Sequence, residues 1–162
     1  MPQLPDVPLH GLYGESIMDH YRSPRHRPAL ASSDIESEEF NPFCGDRVIL
    51  QIKLDDAGRI VQVSSRSEGC SIIQATASMM AEALLGKSLE QVAALDQAFR
   101  AMMRGEGLDQ ESAPELGELV AMQVVCEYPV RIKCALLPWL ALEEGMESHE
   151  SERGGPGGAG RD

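Results

Sequence analysis

The chain has 162 residues, 43% of them hydrophobic, and its 26 acidic and 14 basic side chains give a net charge of -12. The length predicts one domain with its own core, and the acidic balance argues against a nucleic-acid partner, whose phosphates bind clustered lysine and arginine. No stretch approaches the roughly 20 apolar residues that span a bilayer, and the N-terminus lacks a signal pattern. We therefore expect a cytoplasmic protein with no membrane partner, whose four cysteines are reactive, metal-bound or buried inert thiols rather than disulfides.

The first half of the chain predicts one helix and then strands. Residues 1–11 contain three prolines and little pattern, whereas Tyr13, Ile17 and Tyr21 have the spacing of a short amphipathic helix. The Pro-, Ser- and Glu-rich stretch 23–42 has no sustained period, so we expect an irregular surface connection. The alternating run "VILQIKL", the turn "DDAG" and the run "RIVQV" then predict an antiparallel hairpin, with "SRSEGC" as a further short strand.

From Cys70 onward the apolar spacing is helical. A first helix is expected to end before Gly86, which suits a left-handed C-cap. Ser88 and Gln91 form a capping-box pattern that begins a second helix, and this helix is expected to end at Gly105.

A third helix is predicted after the polar loop near residue 110, with Leu116, Leu119, Val120 and Val124 as its apolar face. A last helix is predicted over residues 130–144 and contains Pro138, which either loosens the turn at Cys134 or bends the helix around the core.

Strands followed by helices indicate an α+β fold, a small antiparallel sheet of about three strands packed against several helices. The predicted organisation is a flexible N-terminus over 1–11, one domain over 12–146 and a disordered, glycine-rich tail over 147–162.

Three cysteines, Cys44, Cys70 and Cys134, occupy positions that suit chemistry, although they are too far apart in the chain for a local zinc knuckle. Gly45 and Gly69 adjoin two of them and allow close backbone approach. A thiol in the first turn of a helix is favoured as thiolate by the helix dipole. From spacing alone, both a metal site and inert buried thiols remain open.

Four segments carry recognisable motifs: "LYGESIMDHYRSPRHRP", "NPFCGDRV", "EGCSIIQATASMMAEALLGK" and "YPVRIKCALLPWLALEEG". They resemble the SufU type of the IscU-like iron–sulfur cluster assembly proteins, with three cysteines in the family order and an aspartate two residues after the first. Lys133 stands directly before the third cysteine, where IscU scaffolds carry a histidine. The polar stretch 105–114 resembles the insertion of the SufU type.

The resemblance implies an IscU-like fold and a zinc ion bound by Cys44, Asp46, Cys70 and Cys134. It also implies that Cys44 accepts persulfide sulfur from a SufS-like, pyridoxal-phosphate-dependent cysteine desulfurase and that downstream iron–sulfur assembly proteins receive it. Arg131 lies three residues before Cys134, on the same helical face, and is expected to have a functional role.

Other candidate residues have weaker signals. Lys133 points away from Cys134 by spacing, so a solvated lysine is as plausible as a site residue. Cys126 is expected to be a small buried hydrophobe, and none of the four histidines matches a family ligand.

Three functions therefore remain open. The first is a zinc-dependent sulfurtransferase that activates a cysteine desulfurase. The second is a scaffold that binds iron and assembles an Fe–S cluster transiently on its cysteines. The third is a zinc-stabilised interaction module without chemistry.

Overall fold

The structure is a computed structural model that describes residues 11–41, 45–106 and 116–153. Within these ranges the α-helices are α1 (Gly11–Arg22), α2 (Ser71–Leu84), α3 (Leu89–Met103) and α4 (Pro129–Arg153). The strands are β1 (Ile35–Asn41), β2 (Asp46–Leu54) and β3 (Ile60–Glu68), and a 3₁₀ helix covers Gly117–Glu127. The predicted α+β class, with a small sheet and several helices, is confirmed.

The sheet is antiparallel in the order β1-β2-β3, and one of its faces forms the core. The alternation in β2 places Val48, Leu50 and Ile52 on this face, where each is fully buried. Helix α4 packs on β1 and β2, and α2 packs on β3. The predicted hairpin of β2 and β3 is confirmed, and its turn contains Gly58 at a φ of +83°.

The prediction of an irregular connection through residue 42 is wrong for its last part, because residues 35–41 form the edge strand β1. The sequence "IESEEFN" has only one residue that is buried on the core face, Ile35, so its alternation is too weak to identify a strand. The ladder with β2 and the close approach of α4 determine its conformation: a Cβ at Gly145 would stand 2.7 Å from Ile35 Cγ2. On the opposite edge, residues 60–68, which include most of "RIVQV" and of "SRSEGC", form one continuous strand rather than two.

The connection before β1 lies on the outer face of the sheet. The Leu30 N–H donates to Gln51 Oε1 at 3.0 Å, and Ser64 Oγ donates to the Arg27 carbonyl at 3.2 Å. The Ser65 N–H donates to the His26 carbonyl at 2.7 Å, which satisfies part of the free edge of β3.

Helices α2 and α3 follow the predicted boundaries. Gly86 has a φ of +82°, and the capping box of Ser88 and Gln91 is present at the start of α3. Phe99 of α3 stacks on Trp139 of α4 with ring centroids 4.7 Å apart, and both rings are fully buried.

The third predicted helix is a 3₁₀ helix, and its buried face differs from the prediction. The residues with at most 1% exposure repeat every three positions: Leu116, Leu119, Met122 and Val125. Side chains at i and i+3 eclipse in a 3₁₀ helix, so Met122 and Val125 join Leu116 and Leu119 in the fully buried row. The predicted Val120 and Val124 are half-buried and pack against the core.

Helix α4 begins at Pro129, a residue suited to the first helical turn, and continues through Pro138 to Arg153, past the predicted end at residue 144. Residues 147–153, predicted as the start of a disordered tail, are therefore helical. The predictions for residues 1–10 and 154–162 lie outside the described residues. Among the helices of the described ranges, none combines the length and the apolar composition that a membrane span requires.

Candidate metal and thiol site

Asp46 is the first residue of β2 and has the same orientation as the core residues Val48 and Leu50. Its side chain is buried, with 2% exposure, and its Oδ2 has no hydrogen-bond partner among the described residues. The preceding Gly45 has a φ of +71°, and its N–H donates to the Asn41 carbonyl at 2.9 Å. Asp46 pairs with Asn41 across the ladder, which places the carboxylate at one end of the sheet.

Cys70 is the N-cap residue of α2 and is half-buried. Hydrogen bonding with Cys134 lowers the pKa of the Cys70 thiol to about 6, although burial acts in the opposite direction. The backbone N–H groups of Ile73 and Ile72 lower this pKa further, while the charge of Asp46 raises it. The start of α2 therefore stabilises a thiolate at this position.

Cys134 lies in the first part of α4 and is fully buried. Hydrogen bonding with Cys70 raises the pKa of the Cys134 thiol, and burial and Asp46 raise it further. Arg131 Nη1 lies 3.9 Å from Cys134 Sγ, as the spacing of three residues predicts. The two neighbouring thiols therefore resist ionising together, because a second thiolate would be repelled by the first and by Asp46.

Asp46, Cys70 and Cys134 come together although they belong to three different elements. Ligand atoms of the three residues all lie within 4.8 Å of one another. A buried carboxylate oxygen without a partner and two neighbouring thiols are costly to ionise together unless a cation compensates them. One oxygen and two sulfurs are donors that Zn²⁺ accepts, so these residues fit a zinc ion.

The remaining predicted site residues have different positions. Cys44 lies outside the described residues. Lys133 is exposed, in agreement with the predicted direction of its side chain. Cys126 is half-buried and does not belong to the group of Asp46, Cys70 and Cys134.

Sequence reasoning missed two features of this region. Gly69 lies directly against the carboxylate of Asp46, and only the adjacency of Gly69 to Cys70 hinted at this contact. His20 is 1% exposed and bonds Ser78 Oγ at 2.7 Å through Nδ1 and Glu118 Oε1 at 2.8 Å through Nε2. This histidine connects α1 to α2 and to the 3₁₀ helix and is not part of the group of Asp46, Cys70 and Cys134.

Comparison with known proteins identifies the class of this fold and site. The family model of the NifU-like N terminal domain matches residues 12–135, so the chain belongs to the NifU-like N-terminal domain family. The chain is 44% identical over 143 residues to the zinc-dependent sulfurtransferase SufU of Bacillus subtilis (strain 168). The aligned residues cover 88% of this chain and 94% of the relative.

Two further relatives support the same assignment. The iron–sulfur cluster assembly scaffold protein IscU of Streptococcus pyogenes serotype M1 is 36% identical over 140 residues, which cover 86% of this chain and 85% of that protein. A crystal structure from Fervidobacterium islandicum AW-1, described as an iron–sulfur cluster assembly scaffold protein for the SUF system, matches with a TM-score of 0.74 and 32% identity. The matched region covers 81% of this chain and 93% of the chain in the crystal structure. The predicted resemblance to SufU and IscU proteins is confirmed.

Proposed function

We propose that this chain is a zinc-dependent sulfurtransferase of iron–sulfur cluster assembly. It accepts sulfur from the persulfide of a pyridoxal-phosphate-dependent cysteine desulfurase and passes it to downstream assembly proteins. The observation that carries the proposal is the convergence of Asp46, Cys70 and Cys134 within 4.8 Å. The 44% identity to a protein named as a zinc-dependent sulfurtransferase supports it.

The proposed zinc ligands are Cys44, Asp46, Cys70 and Cys134. Cys44 is two residues from Asp46 in the chain, a span of at most about 7.6 Å between Cα atoms. A bound zinc ion would keep thiolates deprotonated without oxidising them. The chain contributes the buried carboxylate and the helix start that favours the Cys70 thiolate.

Cys44 is the proposed sulfur acceptor. Its thiolate attacks the terminal sulfur of the donor persulfide and forms a new S–S bond. The S–S bond of the donor breaks, and its electron pair leaves with the donor cysteine as a thiolate. The exchange is balanced without an added oxidant or reductant, because one thiolate replaces another.

Arg131 is the second group with a proposed role in the transfer. Its guanidinium lies beside the Cys134 sulfur, and three thiolates with one carboxylate carry more negative charge than a dication neutralises. The fixed positive charge offsets this excess and favours the approach of an anionic persulfide. Arg131→Lys would keep the charge but not the planar donor geometry.

A second candidate function is a scaffold on which an Fe–S cluster is assembled. The observation that favours it is the likeness to proteins named as IscU scaffolds at 30 to 36% identity. Cysteine thiolates also bind iron–sulfur clusters, so the same donors would serve both functions.

Persulfide mapping tests the proposal. The parent protein is expected to contain one zinc ion per chain when purified without added iron, and to raise the turnover of a cysteine desulfurase. After incubation with the desulfurase and cysteine, mass spectrometry of alkylated peptides under non-reducing conditions should locate the added sulfur on Cys44. Cys44→Ala should abolish the activation, whereas Cys126→Ala should behave as the parent.

Each alternative has its own signature. Persulfide on Cys70 or Cys134, with Cys44 unmodified in the parent, would overturn the assignment of the acceptor. A stable cluster after reconstitution with iron and sulfide, without activation of the desulfurase, would favour the scaffold. Zinc binding with neither activity would leave an interaction module.

A further inference from the structure

Gly69 connects β3 to the N-cap of α2 and lies against the carboxylate of Asp46. Its φ of +138° belongs to a region that L side chains rarely adopt. A Cβ at this position would overlap Asp46 Oδ1 and would stand 2.9 Å from Asp46 Cγ and 3.0 Å from Ile73 Cγ2. The carboxylate therefore occupies the space that any side chain at residue 69 would fill.

The position of the Asp46 carboxylate depends on this space because the side chain is enclosed. Asp46 is 2% exposed, and its Oδ2 has no hydrogen-bond partner in the described ranges. Its backbone is held in the sheet by pairing with Asn41. A methyl group at residue 69 would thus move the carboxylate rather than the strand, and the carboxylate would leave the sulfurs of Cys70 and Cys134.

We propose that Gly69 is the positioning residue for Asp46, because its missing side chain lets the carboxylate reach the two sulfurs and act as a metal ligand. The inference rests on the proposed function in one respect, that Asp46, Cys70 and Cys134 bind the metal. Gly69 contributes no ligand atom of its own, and it acts through the carboxylate that it accommodates.

Gly58 offers a matched control for the backbone effect. Its φ of +83° is also positive, yet a Cβ at Gly58 would meet nothing within 4 Å. Gly58→Ala therefore introduces a strained backbone without overlap, at the opposite end of β3 from the site. Gly69→Ala introduces both strain and overlap with Asp46.

The experiment compares metal binding by the parent, Gly69→Ala and Gly58→Ala. Affinity for Zn²⁺ is measured by competition with a chromogenic chelator, and the ligand field is followed by the absorption spectrum of bound Co²⁺. Thermal unfolding of the metal-free proteins reports the structural cost. Gly69→Ala is expected to lose 10- to 100-fold in affinity, the range for residues that orient metal ligands, and to change the Co²⁺ spectrum. Gly58→Ala is expected to lower the melting temperature without changing either readout.

A second pair of variants tests whether Gly69 acts through Asp46. Asp46→Ala and the double variant Asp46→Ala/Gly69→Ala should bind Zn²⁺ equally, because the overlap with the carboxylate disappears and only the 3.0 Å contact with Ile73 Cγ2 remains. This pair also decides the case if Gly69→Ala alone does not fold. A further tenfold loss in the double variant, or its failure to fold, would overturn the proposal.

The remaining outcomes separate this inference from the proposed function. A parent protein that binds no metal would overturn both. A parent that binds one Zn²⁺, with a Gly69→Ala variant of equal affinity and unchanged Co²⁺ spectrum, would overturn the role of Gly69 alone.

Discussion

Zinc should contribute a measurable part of the folding stability, and Cys70→Ser should remove that part. Cys70 and Cys126 are both half-buried cysteines, but only Cys70 belongs to the group with Asp46 and Cys134. Replacing either sulfur by oxygen removes a similar amount of packing. The difference between Cys70→Ser and Cys126→Ser therefore isolates the loss of a metal ligand.

A bound cation would relieve charge repulsion within the group of Asp46, Cys70 and Cys134, and the ligand concentration relative to the dissociation constant sets the size of the stabilisation. Two negative charges 4.8 Å apart, the largest separation in the group, repel by about 3.5 kcal/mol at an effective dielectric constant of about 20. Protonation of the metal-free thiols relieves part of this repulsion. A ligand present at 100 to 1,000 times its dissociation constant adds about 2.7 to 4.1 kcal/mol to the free energy of unfolding. For a chain of this size, that corresponds to a rise of about 5 to 15 °C in melting temperature.

Thermal unfolding with and without a strong chelator measures this contribution. The melting temperatures of the parent and of Cys126→Ser should fall by about 5 to 15 °C on chelation. Cys70→Ser should already melt near the chelated value and should respond little to the chelator. Equal loss of zinc from Cys70→Ser and Cys126→Ser would place Cys126 among the ligands. A parent protein whose melting temperature does not change on chelation would refute the contribution of zinc to stability.

Three further predictions concern residues outside the group of Asp46, Cys70 and Cys134. His20→Ala should lower the free energy of unfolding by about 2 to 3 kcal/mol in denaturant titrations, since it removes a buried side chain and its hydrogen bond to Ser78 Oγ, which keeps, among the described residues, only the Arg25 N–H. His26→Asn, at an exposed contact with Glu82, should cost under about 0.5 kcal/mol. A hydrogen bond with the Glu144 carboxyl group of α4 raises the pKa of Glu39 from 4.5 to about 7, and burial contributes to this rise. Because the folded state then binds more protons than the unfolded state, the free energy of unfolding should fall as pH rises between these values. Glu39→Gln should reduce this fall in the free energy of unfolding between pH 5 and pH 8. The reduction should be only about 1 kcal/mol, because solvent screens an exposed pair; an unchanged pH profile of stability would contradict this prediction. Deletion of residues 154–162 should leave zinc content, melting temperature and desulfurase activation unchanged, because the glycine-rich composition offers little to bury; a fall in any of the three would show that the tail docks.

Local patterns were sufficient where a segment carries its own determinants. The alternation of Val48, Leu50 and Ile52 identified β2, because a strand with one buried face has a period of two residues. Ser88 and Gln91 identified the start of α3, because both partners of a capping box lie within one turn of each other. The order of the motifs along the chain was also enough to identify the family.

Tertiary contacts decided the segments whose own pattern is weak. The polar strand β1 is held by its ladder with β2 and by the approach of α4 at Gly145. The 3₁₀ helix buries Met122 and Val125 because its neighbours on several sides select a repeat of three residues. Propensity alone favours the more common period of 3.6 residues, which indicates Val120 and Val124, both half-buried, and misses the fully buried Met122 and Val125.

The candidate site also combines features that the sequence predicts with features that only the packing of the chain decides. The sequence by itself, read through the family motifs, determined which residue types are available: Asp46, Cys70 and Cys134 as donors and Arg131 beside them. Only the tertiary structure decided that the three donors meet within 4.8 Å and that Gly69 leaves the space for the carboxylate. The reason is physical, since such contacts join residues far apart in the chain, and their distances depend on how β2, α2 and α4 pack rather than on any local spacing.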